Sequence, residues 1–82
     1  MTAEALFTFP STRNAIAGEK ALLQAGLSVK VMPMPEALSH QCGICLRLPL
    51  DELDAGKTAL AAAGISIDRL YLKEGEGLTA LP

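Results

Sequence analysis

The residues of this chain that are best suited to chemistry lie within one short segment. Cys42 and Cys45 are the two cysteines of the chain, the single histidine is His40, and Arg47 follows the second thiol by two residues. Two thiols separated by two residues can form a disulfide, bind a soft metal ion or carry a sulfur atom. Which of these they do depends on the environment that the rest of the chain builds around them.

The charge and composition of the chain exclude several classes of partner. Half of the 82 residues are hydrophobic, 20% are charged, and the formal net charge is -2. Lys and Arg are scattered along the chain, whereas a protein that binds nucleic acid or an anionic membrane carries a concentrated basic patch. The apolar run 5–9 is too short for a signal sequence or a membrane-spanning helix. We therefore expect a cytoplasmic protein that has no nucleic-acid or membrane partner.

Apolar periodicity and the positions of Ser, Gly and Pro predict six elements. Ser11 is a suitable N-cap for a first Ala- and Leu-rich helix, and Gly26 and Gly64 stand where two helices end. The prolines at 33 and 35 are expected to break the second strand after residue 31. The predicted strands cover 5–9, 27–31, 44–48 and 65–72, and the predicted helices cover 12–25 and 50–63.

The order of these elements, β-α-β-β-α-β, is typical of an α+β fold. We expect a ferredoxin-like sandwich, in which a four-stranded antiparallel sheet of order 4-1-3-2 carries two helices on one face. Residues 1–73 would form this single domain, and residues 74–82, which include two glycines and two acids, would form a weakly ordered C-terminal tail. The exposed edges of such a sheet are places where a homodimer could form.

This topology puts the start of the third strand beside the end of the first strand, where the first helix begins. The N–H groups of the first helical turn then point toward Cys42, and helix N-termini stabilise anions by about 0.3 to 1 kcal/mol at exposed sites and up to about 2 kcal/mol when partly buried. A thiolate at Cys42 is therefore favoured over a thiol. We expect Ser11, Thr12, Arg13 and Gly43 to form its anion-binding surroundings, with Gly43 tolerating an unusual φ.

Cys45 falls inside the predicted third strand, and the alternation of that strand places it with Arg47 on the sheet face without helices. A disulfide with Cys42 would need a bend, because residues i and i+3 of a strand lie roughly 10 Å apart. A soft-metal site of His40, Cys42 and Cys45 would lack the fourth ligand of a closed zinc site. Both alternatives, a thiol redox module and a soft-metal-binding module, stay open. The methionines are interpreted as core or loop residues.

Several segments together resemble one known family. They are Phe-Thr-Phe-Pro-Ser-Thr at 7–12, Ala15, Glu-Lys-Ala-Leu at 19–22, Val-Met-Pro-Met-Pro at 31–35 and Ser-His-Gln-Cys-Gly-Ile-Cys-Leu-Arg at 39–47. From about Ala5 to Tyr71 the chain resembles the small domains described as putative selenium/sulfur carrier proteins. The Phe-Pro-Ser-Thr turn and the Cys-Gly-x-x-Leu-Arg segment are the most specific parts of this similarity.

The resemblance implies a cytoplasmic bacterial protein that holds sulfur or selenium, as a persulfide or perselenide, on Cys42. The atom would come from a cysteine desulfurase-type donor and pass to a sulfur-relay or selenium-utilising acceptor protein. We expect no cofactor apart from this covalently carried atom, and a carrier or weak sulfurtransferase-type protein rather than a conventional enzyme. In the family pattern the position of Cys45 is often a small residue, so the second thiol is a departure that leaves room for disulfide or metal chemistry.

Overall fold

The computed structural model describes residues 3–35 and 43–82, and in these ranges the chain forms one antiparallel sheet and two α-helices. A short 3-10 turn, Leu50–Glu52, leads into the second helix. Neither described helix has the length and hydrophobicity that crossing a bilayer requires. The strands are β1 (Glu4–Thr8), β2 (Lys30–Pro33), β3 (Ile44–Pro49), β4 (Arg69–Glu74) and β5 (Gly77–Ala80), and the helices are α1 (Thr12–Gln24) and α2 (Leu53–Ala62).

Within the described residues the sheet has five strands in the order β2-β3-β1-β4-β5, and each neighbouring pair is antiparallel. The predicted neighbours of the first four strands are confirmed, but the predicted number of four strands is wrong. The fifth strand comes from residues 77–80, which the sequence analysis assigned to a weakly ordered tail. A two-residue turn joins it to β4, and the first turn residue, Gly75, has the positive φ of 59° that a type II′ hairpin turn requires.

Both helices pack on the same face of the sheet, which we refer to as the covered face, and they use small residues to approach it closely. A side-chain carbon added at Gly18 of α1 would lie 3.1 Å from the ring of Phe9, and one added at Gly56 of α2 would lie 2.5 Å from Leu48 Cδ1. The absence of a side chain at these two glycines therefore allows both helices to approach the sheet closely. The buried residues of the covered face are Ala5, Phe7, Phe9, Ala15, Leu22, Leu46, Leu48 and Leu60.

The two helices end in the same way, and these endings explain why two predicted strands start too early. Gly26 and Gly64 have φ values of 79° and 73°, in the left-handed region that glycine adopts without strain. The amides of Leu27 and Ile65 then donate to carbonyl oxygens five residues earlier, at 3.1 Å and 3.0 Å. The apolar-Ser-apolar segments that follow pack against the covered face without joining the ladder, so β2 and β4 begin later than predicted.

The second strand, β2, continues through a proline that was expected to end it. Just after β2, the Met34 amide donates a hydrogen bond to the Gly43 carbonyl oxygen at 3.0 Å. Hydrogen-bonded positions alternate along an antiparallel strand, so Met32 occupies a hydrogen-bonded position opposite Cys45. Pro33 stands between them, where its nitrogen faces away from β3. Because β2 is an edge strand, this position needs no N–H group. The prediction that the segment 32–35 breaks the strand is therefore wrong for its first two residues.

Candidate functional site

The predicted anion site lies at the end of the sheet where β1 ends and α1 begins. Ser11 caps α1, because its hydroxyl oxygen accepts a hydrogen bond from the Asn14 amide at 3.2 Å and its hydroxyl group donates to Asn14 Oδ1 at 2.7 Å. Thr12 and Arg13 follow in the first helical turn, and both are exposed. The Ser11 hydroxyl is thus engaged by the helix itself, whereas Thr12 and Arg13 are open to an external group.

Gly43 lies just before β3, at this same end of the sheet. It is exposed, and a side-chain carbon built on it would have no other described atom within 4 Å. Gly43 does not use the positive φ that a glycine tolerates, since the positive φ values in the described ranges belong to Gly26, Gly64 and Gly75. The physical reason is that Gly43 continues the pairing of β3 with β2 by accepting a hydrogen bond from the Met34 amide.

Two of the predicted site residues, His40 and Cys42, lie outside the described residues. The role of Cys42 as the reactive thiol therefore stays a prediction. The same holds for a disulfide between Cys42 and Cys45 and for a metal site that includes His40. In the described part of the chain, no three His, Cys, Asp or Glu side chains are grouped so that they could hold a metal ion.

Cys45 lies on the sheet face opposite the helices, as predicted, but it is not accessible there. Its Cα partner across the ladder is Met32 of β2, and its exposed fraction is 0%. Its Sγ lies 3.8 Å from the carbonyl oxygen of Pro33, to which the thiol donates a weak hydrogen bond. We refer to the described apolar residues on this face as the open-face cluster. It consists of the buried residues Leu6, Cys45 and Tyr71 and of Met32, Met34 and Leu78, which pack against them.

Arg47 shares the open face with Cys45 and is directed toward β1. Its Nε lies 3.3 Å from Glu4 Oε2, and both side chains are partly exposed. Among the described groups this Nε has no partner with hydrogen-bond geometry, so the contact with Glu4 is an ion pair and not a hydrogen bond. The charge of Arg47 is thus matched by a carboxylate of the sheet and is not directed at the end of the sheet where α1 begins.

A groove of about 400 Å³ lies beside the open-face cluster. Residues 32–35 at the end of β2 form one part of its lining, and the β4–β5 hairpin forms the other part. The lining is mostly apolar. Its lysine, Lys73, donates a hydrogen bond from Nζ to the Gly75 carbonyl oxygen of the hairpin at 2.8 Å. Sequence reasoning missed this groove because it depends on β5. The Met-x-Met alternation at 32–34 was the signal that could have indicated a second apolar face.

Most of the chain matches a known protein family. The sequence profile of the family described as putative Se/S carrier protein-like matches residues 4–72. Neither among curated proteins nor among solved structures is there a significant match to the chain. The matched range begins with β1 and ends within β4, so it includes the predicted anion-site residues and both cysteines, whereas β5 and the hairpin side of the groove lie beyond it.

Proposed function

This chain belongs to the family described as putative Se/S carrier protein-like, and from this premise we propose that it holds a sulfur or selenium atom on Cys42 as a persulfide or perselenide. The family description supports the class of cargo. The assignment to Cys42 is supported by the surroundings of the other cysteine and by the chemistry of the sheet end where β3 begins.

The observation that carries this assignment is the burial of Cys45. Passing a sulfur atom between two proteins requires a thiolate that the sulfur of the other protein can reach. Cys45 has an exposed fraction of 0%, and its thiol is directed at the carbonyl oxygen of Pro33. Of the two cysteines in the chain, Cys42 is therefore the one that we assign to the transfer.

The surroundings of Gly43 support a negatively charged sulfur on the residue before it in the sequence. Gly43 is exposed, and β3 begins at the end of the sheet where β1 ends and α1 starts. The positive end of the α1 dipole and the exposed side chain of Arg13 both favour an anion at this end of the sheet. We propose that they stabilise the thiolate of Cys42 and, after loading, the charge on the outer sulfur atom.

The proposed transfer consists of two displacements and needs no oxidant. The thiolate of Cys42 attacks the outer sulfur of a persulfide on a cysteine desulfurase-type donor, a new S–S bond forms, the S–S bond of the donor breaks, and the donor cysteine leaves as a thiolate. In the second step, a nucleophile of the sulfur-relay or selenium-utilising acceptor attacks the outer atom. Cys42 then leaves as a thiolate, so the carrier returns to its starting state. Selenium can follow the same two steps.

Loading by a cysteine desulfurase with cysteine tests this proposal. The intact mass of the wild-type chain is expected to rise by one sulfur atom, and a thiol reductant should remove that atom. Cys45→Ala is the matched control and should load like the wild type, whereas Cys42→Ala should gain no sulfur. Equal loading of Cys42→Ala and wild type, or no loading of the wild type, would overturn the proposal. Supplying selenocysteine instead and measuring bound selenium distinguishes the two cargoes.

A further inference from the structure

Three sulfur-bearing side chains belong to the open-face cluster. Met32 of β2 is the Cα partner of Cys45 of β3, and Met34, two residues further along, pairs with Gly43. Alternate residues of a strand share one face of the sheet, so Met32 and Met34 lie on the side of Cys45. The side chains of both methionines pack in the open-face cluster that contains the thiol.

The thiol of Cys45 is directed toward the strand that carries the two methionines. Its Sγ lies 3.8 Å from the carbonyl oxygen of Pro33, which is the residue between Met32 and Met34. Side chains directly opposite across two strands have Cβ atoms about 4.5 to 5.5 Å apart, and diagonal neighbours are within reach of long side chains. Both flexible thioethers can therefore approach the thiol by rotation about their own side-chain bonds.

The groove beside the open-face cluster gives an ion a route to the two methionines. Both methionines line this groove of about 400 Å³. An ion can thus reach the thioethers from solvent through this groove, and Met34 packs against the buried residues of both faces.

We propose that Met32, Met34 and Cys45 form a binding site for a soft monovalent metal ion, Cu(I). Thiolate and thioether ligands select Cu(I), whereas zinc sites are built from thiolate, imidazole and carboxylate ligands. The ion replaces the thiol proton, which is released to solvent, and the metal keeps its oxidation state. One monovalent cation and one thiolate leave no net charge, which suits a cluster of apolar side chains. This site goes beyond the function proposed for Cys42 and does not use that residue.

Titration of the reduced full-length chain with Cu(I), in competition with a coloured Cu(I) chelator, tests the site. We expect one ion per chain. Met32→Leu and Met34→Leu conserve side-chain volume, and each should weaken Cu(I) binding by about 10-fold or more. Cys45→Ala should abolish the binding. The matched control is Cys42→Ala, which should bind Cu(I) like the wild type although it no longer accepts sulfur.

A second measurement separates ligation from a structural effect of the substitutions. With methionine methyl groups labelled by ¹³C, Ag(I) serves as a redox-inert probe, and the signals of Met32 and Met34 should shift at one equivalent. No Cu(I) binding, wild-type affinity in both Met→Leu variants, or loss of binding in Cys42→Ala would each overturn the proposal. Sulfur loading is measured separately, so failure of the metal site and failure of the carrier function can be told apart.

Discussion

The two faces of the sheet are filled in different ways, and the difference indicates what each face is for. The covered face has eight buried residues, which come from strands, from helices and, in the case of Phe9, from the connection between β1 and α1. The open-face cluster has three buried residues, Leu6, Cys45 and Tyr71, all from strands, and its outer layer includes two flexible methionines. Rigid packing against helices specifies one fold, whereas methionine side chains can rearrange around a ligand. The covered face therefore determines the fold, and the open face is the one on which we propose that an ion binds.

Truncation of Phe7 should have the largest effect on stability. Phe7 is fully buried on the covered face, and loss of such a side chain lowers the free energy of unfolding by about 3 to 5 kcal/mol. Leu6→Ala on the open face should cost less, about 2 kcal/mol, because the methionines can close over part of the cavity. Urea denaturation measures both values. Equal losses in the free energy of unfolding would mean that the two faces are packed with the same rigidity. If Phe7→Ala does not fold, Phe7→Leu is measured in its place.

Alkylation of Cys45 measures how well the open face is sealed. In Cys42→Ala, Cys45 is the remaining thiol, and it should react with iodoacetamide about 100-fold or more slowly in buffer than in urea, because opening a buried region costs a few kcal/mol. The reaction is followed by intact mass. Comparable rates in the two solvents would contradict the burial of Cys45 and would remove the main support for assigning the carrier role to Cys42.

A pair of Gly→Ala substitutions compares a tight helix crossing with an open position. Gly56→Ala places a carbon 2.5 Å from Leu48 Cδ1 in the covered face, and overpacking of this kind costs about 1 to 3 kcal/mol, partly offset by better helix propensity. Gly43→Ala meets no other described atom within 4 Å, so its effect should stay within about 0.5 kcal/mol. Thermal unfolding of both variants gives the comparison. A stabilised Gly56→Ala would show that Leu48 can move aside at no cost.

The ion pair between Glu4 and Arg47 on the open face should contribute least. Both groups are partly exposed and the contact lacks hydrogen-bond geometry, so Glu4→Gln should lower the free energy of unfolding by about 0 to 1 kcal/mol. The loss should shrink at high salt because screening weakens the pair in the wild type. Denaturation in low and high salt measures this. A loss that does not change with salt would point to a packing contribution of the Glu4 side chain instead.

Much of the fold could be predicted from local patterns. Ser11 was recognised as an N-cap and Gly26 and Gly64 as helix ends, because these signals act within one turn of helix. The neighbours of the first four strands follow from element order and the handedness of crossovers. The starts of β2 and β4 were misplaced, because an apolar-polar alternation has the same appearance whether a segment joins the ladder or only packs beside it.

The candidate site was predictable in part. The face of Cys45 follows from strand alternation, and this prediction is confirmed. The φ of Gly43 was not predictable, because it depends on the hydrogen bond from Met34, and that bond exists only because β2 continues past Pro33. The proline is tolerated because β2 is an edge strand, and edge position is a property of the whole sheet.

The sequence by itself determined the element types, their order and the segment in which the thiols lie, because periodicity and capping depend on residues close together in the chain. Only the tertiary structure decided that Cys45 is buried on the face without helices. Among the described residues, the cluster that contains it is completed by Met32, Met34 and Leu78, and Leu78 belongs to the strand that the sequence did not predict. Burial depends on contacts between residues far apart in the chain, and this is why two cysteines that look equivalent in the sequence are assigned different roles.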